Sequence, residues 1–253
     1  TTLFRSWAYT SRRALALRYL LPGIAAALVI AVVVGLAIER LFFRRLIGES
    51  VFSMIMVTIG LLILTRGLVL VIWGPQERAF PALIALEPLI IGEMIVPRSL
   101  AAAGVVAVVF ALALHWFFNR SRAGLAMSAV VEDHQIALSM GISVRRSIAF
   151  AWALGGVLSV ISSIVYLSGK SLTFLSSEIG FAALPVALLA GLESIRGLLL
   201  AGLIVGVVQG LTSAYIDPLI GGNAASVVPY IFMLVVLAVR PNGMFGWKRI
   251  ERV

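Results

Sequence analysis

The sequence predicts an all-α integral membrane protein of about seven apolar helices. Three observations predict it. The chain is 61% hydrophobic with a mean hydropathy of +1.09, and only 12% of its residues are charged. A water-soluble domain of 253 residues carries far more charge across its surface. Apolar runs of roughly 20 residues, the length that crosses a bilayer at helical rise, recur along the whole chain.

The first run, 20–38, is uncharged and closes on Glu39, Arg40, Leu41, Phe42, Phe43, Arg44 and Arg45. The second covers 51–73 and is interrupted only by Arg66. Residues 74–98 hold Pro75, Pro81, Pro88 and Pro97 with Glu77, Glu87 and Glu93, a composition that opposes a crossing helix and predicts a structured loop on the membrane surface. The third span is 99–119, and the polar stretch 120–146 separates it from the fourth, 147–169. The run 179–192 is short and carries Pro185, which predicts a kinked or partial crossing. The sixth span is 197–216; a Gly-rich turn over 217–225 leads into the seventh, 226–239, and a basic tail follows.

The basic residues are distributed as a membrane protein requires. With the loops 39–50, 119–147, 193–197 and the tail from Arg240 in the cytoplasm, twelve of the 20 positive residues lie inside, which favours a cytoplasmic C-terminus. Arg5, Arg12, Arg13 and Arg18 fall on the other side and fit poorly. Either the rule is weak here, or residues 1–19 belong to a membrane element whose beginning is absent. The chain opens on Thr1-Thr2 without a signal-peptide pattern, and further residues are expected to precede it.

The net charge of +9 does not point to nucleic acid, because no basic stripe is interleaved with stacking aromatics. With no cysteine and only His115 and His134, disulfides, thiolate chemistry and a histidine-rich metal cluster are excluded.

Within 120–146, the segment 125–140 contains strong helix formers, and Gly141 suits a C-terminal cap. Met127, Val130, Val131, His134, Ala137 and Leu138 recur at helical spacing, predicting a short amphipathic helix outside the bilayer. Glu132 and Asp133 would stand on its other face. Such a helix either transmits force from a soluble partner or rests on the lipid headgroups.

Here a resemblance enters. Glu132-Asp133, followed by Ala137, Gly141 and Ile142, resembles the cytoplasmic coupling motif of the branched-chain amino acid ABC permeases, the LivH/LivM-type family. The tail Arg240-Pro241-Asn242-Gly243-Met244-Phe245-Gly246 is similar to that family's terminal signature. The stretch from Ala190 to Gly197 resembles its Gly-Gly-x-Gly-Ser-x-x-Gly turn, although Leu192-Glu193 makes the turn here less glycine-rich. Ile38-Glu39-Arg40 and Thr58-Ile59-Gly60 are looser matches. The family's further N-terminal helix and its Asn-Phe-Ala-His/Gln-Gly pathway segment are not found in residues 1–19.

The resemblance implies one transmembrane permease domain over 1–253 with a cytoplasmic coupling loop at 120–146. Glu132, Asp133, His134, Ala137, Gly141 and Ile142 would then contact ATPase subunits. It also implies the partners: a second permease, homologous or identical, two ABC ATPase subunits and an extracytoplasmic binding protein, all at a bacterial inner membrane. ATP and magnesium would reside in the ATPases, leaving no cofactor on this chain and no enzymatic activity. The implied cargo is a branched-chain or related amino acid; urea, amides and small aromatic or carboxylic acids are the alternatives.

Other residues carry weaker signals. Gly202, Gly206 and Gly210 recur every four residues after Gly197, a spacing that lets helices approach closely either within this chain or against the second permease. Arg66 lies about 10 Å from the end of its span, where it either snorkels to the interface or meets a substrate carboxylate. Pro185 either bends an ordinary helix or breaks one beside the pathway. His115 falls among Trp116, Phe117 and Phe118, as in an interfacial aromatic belt. Gly169-Lys170-Ser171 echoes a phosphate-binding loop, but Ile164 occupies the position of its required first glycine.

Two other function classes fit less well. An ion-coupled secondary transporter or channel places ionisable groups at mid-membrane, whereas the acids here stand in loops and at span ends. An intramembrane enzyme needs paired carboxylates, a Ser/His pair or a metal cluster at membrane depth, and the spans carry none.

Overall fold

A computed structural model describes residues 2–84, 87–92, 94–191, 194–240 and 243–246. Helix α1, Thr2–Leu41, begins well before the apolar run and extends about 60 Å at helical rise. A short turn at Phe43–Arg45 follows, and Ser50 opens α2, Val51–Trp73, by accepting from the Ser53 N–H. The proline-rich segment forms no helix among its described residues. It carries β1, Arg78–Ala79, and a hairpin of β2, Leu89–Ile91, with β3, Met94–Val96.

Helix α3, Arg98–Arg120, leads through Ser121 into α4, Arg122–Glu132, and then α5, His134–Ser139. Helix α6 is Val144–Leu167, followed by β4, Ser171–Leu172, which pairs with β1. Helix α7, Glu178–Ala190, and α8, Ile195–Leu211, are joined at Gly191. A π-helical turn, Thr212–Ile216, carries α8 into α9, Asp217–Ile220, and α10 is Val228–Val239. Among the described residues, five helical stretches are long and apolar enough to cross a membrane, while α7 and α10 are apolar but shorter. The 13 residues of α7 reach about 20 Å, less than the roughly 30 Å of a hydrocarbon core.

Two compact units account for the packing. In the first, α6 lies against α1, and α4 and α5 lie against α6. A Cβ placed on Gly35 would sit 2.8 Å from the Trp152 carbonyl oxygen, and one on Gly156 would sit 2.8 Å from that of Ala31. Hydrogen at these two positions lets the backbones of α1 and α6 touch. Phe43 then stacks on Trp152 at 4.6 Å between ring centroids. At the far end of α6, buried Ser168 anchors the loop after α2. Its hydroxyl accepts from the N–H groups of Leu83 and Ile84, at 2.9 and 3.0 Å.

In the second unit, α7, α8 and α10 pack together around Leu189, Ala190, Ala201 and Val205, with Val186, Phe232, Val236 and Met244 at the margin. The loop before α10 is fastened to the end of α8. Gln209 donates to the Ala225 carbonyl, and the Asp217 carboxylate accepts from the Ala225 N–H.

The apolar windows of α2, α3 and α6 contain no buried residue. In lipid that costs nothing, because hydrocarbon chains are as apolar as the side chains they touch. Gly35→Ala or Gly156→Ala is therefore expected to lower stability by about 1–3 kcal/mol through forced separation of α1 from α6. Gly60→Ala, where a Cβ would meet nothing within 4 Å, is expected to be neutral or to stabilise by up to about 1 kcal/mol. Thermal unfolding in detergent measures the contrast.

Candidate functional site

The amphipathic segment at 125–140 is two helices rather than one. Asp133 adopts an extended conformation between them, and its carboxylate accepts from the N–H groups of Gln135 and Ile136 at 2.7 and 3.0 Å. A short acidic side chain that bonds to nearby backbone N–H groups competes with continuous helix, and here it wins. Helix α5 then closes in a Schellman motif. The N–H of Gly141 bonds to the Leu138 carbonyl and that of Ile142 to Ala137, with Gly141 at φ +78.

The residues expected on one face separate into a buried and an exposed pair, each seven positions apart. Val130 and Ala137 are buried, 4% and 1% exposed, in a small core with Val144, Ile142, Ile148 and Ile47. Val131 and Leu138 point outward, 73% and 59% exposed, together with Ile136 and Met140. The expected contact residues thus divide. Asp133 is a cap, Gly141 a terminator, Ala137 core, and Ile142 a half-buried bridge to that core. Glu132 is exposed, and the side chain of His134 lies outside the described residues. The residues left open are Glu132 with Val131, Ile136, Leu138 and Met140, four apolar residues of which periodicity singles out only Val131 and Leu138.

Glu132 occupies the last turn of α4, where a carboxylate opposes the helix dipole. Helix stability alone does not favour a glutamate there.

The turn after α7 and the C-terminal signature, separate in sequence, meet in the second unit. Met244 donates to the Leu189 carbonyl at 2.8 Å and Phe245 to that of Ala190 at 3.1 Å, satisfying the open end of α7. Gly243, at φ +78, has no room for a side chain: a Cβ would lie 2.6 Å from the Gly191 nitrogen and 2.7 Å from the Leu188 oxygen. A Cβ on Gly197 would likewise strike Phe245. Leu192, Glu193, Pro241 and Asn242, which belong to these motifs, lie outside the described residues. The first turn of α8 is closed by Ser194, whose hydroxyl accepts from the Gly197 N–H.

The remaining candidates are distributed along the helices. The buried side of α8 is Gly197, Ala201 and Val205, one position ahead of the glycine row. A Cβ on Gly202 would make an ordinary contact with Val186, while Gly206 and Gly210 have nothing within 4 Å. Pro185 is buried and α7 runs through it unbroken. Arg66 is half-buried on α2, beside Thr65, whose hydroxyl returns to the Leu61 and Leu62 carbonyls. His115 receives a hydrogen bond from Arg196, 81 positions away, at 2.8 Å. Glu39 is buried at the end of α1, 4% exposed. Periodicity could not signal either of these last two, because each depends on which helices become neighbours.

Asp133→Ala is expected to cost about 1 kcal/mol by removing the cap of α5, and Asp133→Asn almost nothing. Gly243→Ala is expected to cost at least about 2 kcal/mol, combining left-handed strain with a backbone clash. Gly48→Ala, equally strained at φ +94 but in open space, is expected to cost only about 1 kcal/mol. Melting temperatures of the four purified variants decide these values.

Residues 4–237 match the family model for the permease component of branched-chain amino acid transport systems. The chain is 29% identical over 245 residues to the high-affinity branched-chain amino acid transport permease LivH of Escherichia coli K12, covering 91% of this chain and 76% of that protein. It is 28% identical over 243 residues to BraD of Pseudomonas aeruginosa, covering 92% and 77%. A probable LivH of Methanocaldococcus jannaschii is 25% identical over 154 residues, covering 58% of this chain and 49% of that protein. No solved structure matches significantly. Since the family model spans nearly the whole chain, this protein belongs to the permease-component family of branched-chain amino acid transport systems.

Proposed function

We propose that the chain is one membrane subunit of an ATP-driven ABC importer that moves branched-chain or related amino acids delivered by an extracytoplasmic binding protein. The observation that carries the reading is the exposed surface of α4 and α5. Val131, Ile136, Leu138 and Met140 are large apolar residues on a loop outside the apolar spans, where lipid does not account for them. Glu132, exposed and next to Val131 in the chain, ends a helix whose dipole disfavours it. Together they offer exposed side chains, apolar with one acid, suited to a socket on a soluble partner.

In this reading α4 and α5 receive the movement of two ATPase subunits and pass it into the helices they adjoin. A second permease, homologous or identical, completes the pathway. The chain sits in a bacterial inner membrane with the 120–146 loop and the C-terminus in the cytoplasm. The family resemblance and the arginine clusters flanking the loop support this arrangement. Arg66, half-buried in α2, and Pro185 remain the candidate pathway residues. The names of the relatives support branched-chain amino acids as cargo.

Purification from the native membrane is expected to recover ATPase subunits with this chain. Glu132→Ala is expected to lower ATP-driven amino acid uptake about tenfold, as loss of one interfacial charge contact does, while leaving chain abundance and basal ATP turnover intact. Undiminished uptake in the variant would remove Glu132 from the coupling surface. Gradient-driven uptake by this chain alone in liposomes would overturn the importer reading.

A further inference from the structure

The first turn of α8 is where three elements of the second unit converge. Ser194 caps it, Gly197 admits Phe245 of the C-terminal strap against it, and Arg196 reaches sideways to α3. The Arg196 contact has a specific chemistry. A guanidinium carries only donors, so the Nε2 of His115, 2.8 Å from Nη2, must be the acceptor. Its Nδ1 lies 2.9 Å from the Asn119 amide nitrogen. Asn119 donates from its amide to the His115 carbonyl at 2.8 Å, one turn along the same helix. His115 and Asn119 belong to the last turns of α3, and that helix passes through Ser121 into α4, the first part of the coupling loop.

We propose that Arg196 is a positioning residue of transport: by donating to His115 it ties the coupling-loop end of α3 to the first turn of α8. A displacement of α4 is passed along the chain into α3 and, through this tie, to α8. From there it spreads by contact. The strap seats on Gly197 and closes the end of α7, and α7 packs on α8 and α10. Without the tie, α3 would follow the coupling loop while α8 lagged. The inference rests on the importer reading above. It adds the route by which motion at α4 reaches the second unit, for which Arg196 and His115 are the pair required.

The test is uptake per ATP hydrolysed by the complete importer in proteoliposomes loaded with binding protein and amino acid. Arg196→Leu and His115→Leu are each expected to lower that ratio about fivefold, the worth of one charge-assisted hydrogen bond at an exposed site, with ATP turnover retained. The double variant is expected to fall no further than either single, because one bond cannot be lost twice. Arg196→Lys and His115→Gln, which keep a donor and an acceptor, are expected to recover at least half of the ratio in complexes of wild-type subunit composition. Wild-type ratios in both leucine variants would overturn the proposal, as would additive losses in the double variant. Equal losses in the conservative and leucine variants would also overturn it, by showing that shape and not the hydrogen bond matters. If the wild-type importer shows no ATP-dependent uptake, the importer reading itself falls, and this proposal with it.

Discussion

Close approach at four glycines, of backbone to backbone at three and of the Phe245 side chain at Gly197, is the constraint on which the rest of the molecule depends. Between helices in lipid the hydrophobic effect provides almost no drive, since an apolar side chain gains little by leaving hydrocarbon for protein. Association then rests on van der Waals contact, which weakens within an ångström of separation. Gly35 and Gly156 bring α1 and α6 into backbone contact, and Gly197 and Gly243 bring the C-terminal strap onto the α7–α8 turn. At each position a single methyl group would fall about 2.6–2.9 Å from its neighbour. The windows of α2, α3 and α6 have no buried residues, so the stability of each unit is concentrated at these contacts.

Outside the apolar spans the rules of water return, and α4 and α5 obey them on a small scale. Val130, Ala137 and Val144 form a core of a few residues, Asp133 supplies the missing acceptor at one helix start, and Gly141 ends that helix. These devices hold two short helices that would be unstable alone. What they leave uncovered is Glu132 with Val131, Ile136, Leu138 and Met140. The residues that build the element and those left exposed are different sets, and among the described coupling-loop candidates Glu132 has no structural task.

The strap makes one object of two motifs. The carbonyls of Leu189 and Ala190 at the end of α7 lack partners within the helix, and Met244 and Phe245 supply them. A glycine-rich turn and a glycine-containing tail therefore need each other, since a side chain at Gly243 or Gly197 would hold the tail off. The same corner carries Arg196, which places the α7–α8 turn at the end of α3 that leads into α4.

The sequence by itself determined the lipid environment, the apolar runs, the loop nature of 74–98 and the family, because these follow from composition, length and local motif. Hydrophobic runs report a solvent, and they do so without reference to neighbours. Tertiary structure alone decided which side of each helix matters. Periodicity grouped Val130 with Val131 and Ala137 with Leu138, but the small core with Val144 takes in Val130 and Ala137 and leaves Val131 and Leu138 outward. The row of Gly202, Gly206 and Gly210 looked like the packing face of α8, yet the buried side is Gly197, Ala201 and Val205. In a chain apolar on all sides, hydrophobicity has no direction, and only the contacts between helices supply one.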